Sequence, residues 1–248
     1  VDGDVARPRE ASVLAHTEYG RFAELIERLP PEAWTLPTEC APWDVRLLVA
    51  HVVGATEANA SPLEMARQLR RGRRGLAIEV DPVSAVQVEH RRRVDPPVLA
   101  ARFRAAIEDA VRWRARWSRS AGAVPLRVGA PVHETWRLRY LMDAVYTRDV
   151  WMHRVDLCRA TGQEPALSAD HDGRIVADVV ADWAARHGRP FVLTLSGPAG
   201  GLFARGAGGP ELTTDAVEFC RAVSGRQVAP GDEPEGTGAR LLATPVPF

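Results

Sequence analysis

Residues 146–157 read YTRDVWMHRVDL, and this stretch limits the folds open to the chain more than any other. Asp149 and His153 stand four residues apart, and Asp156 lies three further on. At 3.6 residues per turn, all three project from one side of a helix. Leu138, Leu141, Met142, Val145, Met152, Leu157 and Ala160 share that side, so it should face a core. Two carboxylates and an imidazole on a buried stripe cost free energy unless they are paired or hold a cation. A fold for this chain must therefore bring a partner or a positive ion to that face.

Three further stretches carry helical periodicity. Between Glu10 and Leu29, Tyr19, Phe22, Ile26 and Leu29 recur at three- and four-residue steps, and Pro30-Pro31 ends the run. The connection LPPEAWTLPTECAPW follows, with Trp34 and Trp43 placed to pin it to the body. Asp44 reads as the N-cap of VRLLVAHVVGATEANA, in which His51 shares a side with Leu47, Leu48, Gly54, Ala55 and Ala58. This helix is expected to continue past Pro62 through MARQLRR, with a kink at the proline. A third runs from Pro97 to Ala121, with Leu99, Phe103, Ile107, Val111 and Arg114 or Ala115 in register and Trp113 and Trp117 on an edge. GAVPLRVGAP reads as a turn-rich connection. The fourth helix is expected to start between His133 and Trp136 and to stop at Gly162. Four long amphipathic helices imply a four-helix bundle.

Between Arg70 and Arg93, RRGRRG and EHRRR flank a segment without periodicity. A solvated loop with arginine-rich ends is the simpler expectation, and an anion-binding role the sharper one. Beyond Glu164 the character changes. A helix over 169–187 leads into the alternating strand PFVLTLSG, then a glycine-rich stretch of hairpin character, a short helix in DAVEFCRAVSG and a closing strand in LLATPVPF. The boundary falls between Gly162 and Pro165. The fold class is thus α+β, a bundle over residues 1–164 followed by a small α/β domain over residues 165–248.

Composition removes several functions. Acidic and basic residues balance at 32 each, so no global field draws in nucleic acid or an anionic membrane. All the basic residues apart from histidine are arginine, and without lysine there can be no Walker A phosphate loop and no Schiff base. The glycines of Gly197 to Gly209 do not lead into a helix as a dinucleotide loop requires. GxSxG and HExxH are missing as well. No apolar run reaches membrane-spanning length, and VDGDVARPRE lacks a secretory apolar core, so a cytoplasmic protein is expected. Cys40, Cys158 and Cys220 form no CxxC pair and fit reduced thiols; Cys158 and Cys220 read as packing residues, and Cys40 as structural rather than an open thiol near a pocket mouth.

An Asp-x3-His pair alone is weak, but here it lies on the apolar side, as His51 does on a second helix. Facing helices of a bundle are where internal metal sites are built. Two imidazoles and a carboxylate suit a divalent cation, most simply zinc with a position left open for water or a thiol. Asp156 is compatible with orienting a ligand imidazole or with pairing to Arg154 or Arg159. Arg148 and Arg154 fall off the ligand face and are expected in solvated or inter-domain ion pairs. Tyr146 suits core packing, or a hydrogen bond to substrate.

The residues also resemble a known family. PTECAPWDVRLLVAHVVG, a Cys-x-x-Trp loop leading into a helix with a histidine, and YTRDVWMHRVDL, an acidic residue and a histidine four apart, resemble the DinB-like bundle of the mycothiol-dependent maleylpyruvate isomerase family. LTLSGPAGG, DAVEFCRAVSGR and LLATPVPF resemble its C-terminal domain. The resemblance implies that His51, Asp149 and His153 bind zinc or another divalent metal, with Asp156 behind them. It implies a cofactor such as mycothiol or a related low-molecular-weight thiol, held as a metal-bound thiolate and added to a small electrophile. The family's isomerases carry glutamate where this chain has Asp149, one methylene shorter. Isomerase and S-transferase chemistry would share such a site. A non-catalytic, metal- or ligand-binding regulatory protein is the alternative, and the small second domain would either close the pocket or support a homodimer.

Overall fold

A computed structural model describes residues 8–74, 77–78, 80–129, 132–226 and 241–248. The chain falls into two compact units that divide between Pro165 and Ala166.

In the first unit, α1 (Pro8–Glu27), α2 (Val45–Ala60), α5 (Pro96–Ala121) and α7 (Tyr146–Ala160) pack against one another. Their shared core includes Tyr19, Phe22, Ile26, Leu48, Val52, Leu99, Phe103, Ile107, Val150 and Leu157, at the spacings that the sequence pattern requires. Burying each of the larger side chains is worth about 1.5–3 kcal/mol. Asp44 caps α2, accepting from the Leu47 amide at 2.8 Å, and such caps contribute about 1 kcal/mol. A short 3₁₀ turn (Pro31–Thr35) buries Trp34 in the same core.

Four expectations for this unit need correction. The second helix does not kink at Pro62 but ends at Ala60, and α3 (Pro62–Gly72) starts afresh with proline in its first turn, where the missing N–H is no loss. The segment from Arg70 to Arg93 is not simply a solvated loop, although Arg70, Arg71, Arg92 and Arg93 at its ends are exposed. It contains β1 (Arg73–Arg74), β2 (Ala77–Ile78) and α4 (Val80–Glu89), and Arg91 is only 2% exposed. Next, the connection after α5 is a strand, β3 (Pro125–Val128), paired antiparallel with β4 (Glu134–Arg137). The fourth helix consequently starts at Leu138 rather than before Trp136. It opens as α6 (Leu138–Tyr140), widens through a π-helical turn (Leu141–Val145) and continues as α7. Finally, Arg148 and Arg154 are buried. Arg154 meets the buried Glu18 of α1 at 2.6 Å, and Arg148 lies against the Tyr140 ring. α7 is enclosed on nearly all sides, so charged residues off its ligand face need partners inside the protein.

In the second unit, a π-helical turn (Ala169–Gly173) leads into α8 (Arg174–His187), which ends at Gly188 with φ 65°. β5 (Phe191–Ser196) is the central strand, antiparallel to β6 (Gly201–Arg205) and parallel to β7 (Glu211–Asp215), and Asp215 caps α9 (Ala216–Val223). Trp183 packs edge-on to Phe191 and Phe219 and donates its indole N–H to the Leu241 carbonyl at 2.8 Å. The closing segment is not a strand: Leu241 and Leu242 are helical, and the Val246 amide reaches the Val223 carbonyl. Among the described residues no helix is long and apolar enough to cross a membrane. The fold class is α+β.

Candidate metal centre

α2 and α7 carry three residues that could act together as ligands, and Cys40 and Asp156 could form a second group with His153. His51 lies on the second turn of α2, beside the small residues Gly54 and Ala55, and is 8% exposed. Asp149 and His153 are one turn apart on α7. One ligand atom from each of His51, Asp149 and His153 lies within 4.8 Å of the others. Asp149 Oδ1 is 3.4 Å from His153 Nε2 and 3.8 Å from His51 Nε2. The second distance is beyond a hydrogen bond. Ligands about 2.0–2.1 Å from a tetrahedral zinc ion stand about 3.4 Å apart, so the spacing suits three ligands around one cation. The donor set passes the same test, because two imidazole nitrogens and one carboxylate oxygen make a zinc-type triad with a fourth position left over.

The outer sides of the two imidazoles are held differently. His153 Nδ1 lies 2.9 Å from Asp156 Oδ2. That contact keeps the proton on Nδ1 and aims Nε2 at the space beside Asp149. Asp156 is completely buried and also accepts a hydrogen bond from Cys40 Sγ at 3.2 Å. His51 Nδ1 is buried without a hydrogen-bond partner, and the ring is instead fixed by Trp43, whose centroid is 5.0 Å away at 32°. The two imidazoles meet edge to face with centroids 5.2 Å apart.

The electrostatics favour a positive charge here. Burial opposes ionisation of Asp149, yet the charge of His153, the contact with it and the nearness of His51 hold its carboxyl well below the usual carboxylate range. Burial likewise opposes a charged His153, but Asp149 and contacts with Asp156 and Cys40 raise it well above an ordinary imidazole. A divalent ion would supply that positive charge in place of the proton.

Tyr146 opens α7 half-buried, with the Arg114 guanidinium 5.7 Å from its ring centroid, and burial pushes its hydroxyl above the ordinary phenol range. Arg114 itself is 3% exposed and donates to the Met142 carbonyl, the Tyr19 hydroxyl and Thr147 Oγ1. It thereby covers a carbonyl inside the π-helical turn that precedes the ligand helix. Such a turn inserts about one residue and so rotates the helix beyond it by about 100°.

Two of the remaining histidines lie elsewhere: His16 is exposed beside Glu108, and His133 sits at φ 53° ahead of β4. Sequence reasoning undervalued Cys40, which the loop before α2 places against Asp156. Its position four residues ahead of the Asp44 cap was the available signal.

Comparison with known proteins identifies the family of the chain. Residues 15–158 match the family model described as the mycothiol maleylpyruvate isomerase N-terminal domain. No curated protein matches the chain. Among solved structures, the crystal structure of the mycothiol-dependent maleylpyruvate isomerase aligns with TM-score 0.59 and 16% identity, covering 90% of this chain and 91% of that one. A mutant of that enzyme with one histidine replaced by alanine aligns with TM-score 0.59 and 15% identity, covering 89% and 90%. At such identities the structures speak for the fold. The family match takes in α2 and α7 together with the helices packed around them, and by it this chain belongs to the mycothiol maleylpyruvate isomerase family through its N-terminal domain.

Proposed function

We propose that this chain is a metal-dependent, thiol-using isomerase acting on a small unsaturated electrophile, in the manner of maleylpyruvate isomerase. The convergence of His51, Asp149 and His153 carries the reading. These residues would hold the divalent ion, and their donor chemistry favours zinc. Such an ion, when bound, lowers the pKa of a thiol brought to it and so makes a thiolate available near neutral pH.

The chain's own groups prepare that chemistry. Asp156 fixes the His153 tautomer, Cys40 holds Asp156 from the loop side, and Trp43 sets the plane of His51. Burial of both imidazoles excludes water, which strengthens every charge interaction around the site. The thiol class is mycothiol or a close relative, an assignment supported by the family match. The free cysteines fit a reducing cytoplasm.

Two measurements test this reading. Purified protein should carry a divalent metal that His51→Ala and His153→Ala each lose. Incubated with mycothiol and maleylpyruvate, the wild type should change alkene geometry while the thiol concentration stays constant. Consumed thiol would instead indicate an S-transferase. If the protein holds no metal and the substitutions alter neither metal content nor turnover, the assignment is wrong.

A further inference from the structure

From the arginine-rich segment, Arg71, His90 and Arg91 contribute to a place apart from the candidate metal ligands. α2, α3, α5 and the turn after α4 border a cleft of ≈ 520 Å³ lined by Glu57, Ala60, Ser61, Glu64, Arg67, His90, Arg91, Arg102 and Asp109. That volume falls within the range of small-ligand pockets, about 300–1,000 Å³.

Its charges are not evenly matched. Glu57 takes Arg91 Nε at 2.8 Å and both nitrogens of an Arg102 fork at 2.7 and 3.0 Å. Glu64 takes the Arg67 fork at 2.7 and 2.6 Å, and also Arg91 Nη2 at 3.3 Å. Asp109 is paired outward with Arg112. Three guanidiniums, those of Arg67, Arg91 and Arg102, thus share two carboxylates, and Arg71 adds a fourth beside Arg67. The excess gathers at one point. Arg67 Nη1, at 3.2 Å, and Arg71 Nη1 both converge on His90 Nε2. One neutral nitrogen accepts from two cations where an anionic oxygen would bind both more strongly. Partial burial and the Arg67, Arg71 and Arg91 charges hold the His90 imidazole below its ordinary range, which keeps it an acceptor.

We propose that a small oxyanion-bearing ligand, a phosphate or carboxylate, binds at this cleft where Arg67 and the neighbouring Arg71 converge on His90. The geometry suits a compact ligand and not a nucleic-acid backbone, because Glu57, Glu64 and Asp109 interrupt the positive surface. The site is separate from the metal centre, since none of its lining residues is a candidate metal ligand.

The test is calorimetric titration of metal-replete protein at constant ionic strength, with inorganic phosphate in one arm and succinate in the other. His90 imidazole NMR signals are followed alongside. Saturable binding of either anion that moves the His90 signals is expected, and the arm that saturates identifies the ligand class. Arg71→Gln, which removes an exposed side chain, should weaken binding about tenfold by loss of a charge-assisted contact. Arg67→Gln should act in the same direction. Metal content should stay unchanged in both variants, and binding should persist in His51→Ala, which separates this site from anion capture by a bound metal. The proposal is overturned if neither anion saturates, if the wild-type His90 signals stay still, or if binding survives both arginine substitutions.

Discussion

Asp156 is the residue on which the candidate centre depends most without supplying a ligand atom to it. It is buried, and its Oδ2 meets both His153 Nδ1 and the Cys40 thiol. Asp156→Asn keeps the volume but gives up the negative charge that polarises the imidazole. Metal affinity should fall about 10–100-fold, as measured by competition with a chelator, while far-ultraviolet circular dichroism is unchanged. Cys40→Ala removes a weak donor and leaves the Asp156–His153 contact in place, so its effect should be clearly smaller. A loss equal to that of Asp156→Asn would mean that Cys40 meets the metal itself. The Asp149–His153 pair was legible from spacing because i and i+4 lie one helical turn apart. The choice between a ligand-orienting Asp156 and one paired to arginine was not, since it depends on a loop more than a hundred residues away.

At the scale of elements, the close approach of α2 and α4 ties α4 to the bundle. A β-carbon on Gly54 would sit 2.6 Å from Gln87 Cβ, and the Gly54 carbonyl accepts from Gln68 Nε2 at 2.9 Å. Gly54→Ala should therefore destabilise the unit by about 1–3 kcal/mol, read as a lower denaturant midpoint with unchanged slope. α3 joins the same junction through Glu64. Its hydrogen bond to Arg67, against the cost of burial and aided by Gln68 and Arg91, holds its carboxyl at about 2, below the ordinary 4.5. A depressed carboxylate contributes stability that is complete above its unfolded value and is lost as pH falls through the folded one. Wild-type stability should thus decline between pH 4.5 and 2 more steeply than that of Glu64→Gln. Equal acid unfolding curves for the two proteins would show that the Glu64 contacts are too solvent-screened to matter.

At the scale of the whole molecule, the three candidate ligands and Asp156 lie in the unit that ends at Pro165. We propose that this unit is an autonomous domain, as the expected division at 1–164 and 165–248 would have it. A fragment ending at Pro165 should then bind metal at the stoichiometry of the full chain, measured by elemental analysis after gel filtration. A fragment that aggregates or binds no metal would count against the division.

The sequence by itself determined what is local. Apolar period set the long helices, Asp44 and Gly162 marked their ends, and one-turn spacing put Asp149 and His153 on one face. The resemblance carried by its loop and helix motifs also pointed to the family. Tertiary structure alone decided what depends on distant partners. The burial of Arg91 follows from Glu57 and Glu64 on other helices, and that of Arg154 from Glu18 on α1. β3 exists as a strand because β4 pairs with it, whereas the alternating tail at 241–248 finds no strand to join among the described residues. Helical hydrogen bonds close within four residues and can be read in a short window. A strand ladder, a buried ion pair and a three-ligand centre each need a second segment, whose position is fixed only when the core packs.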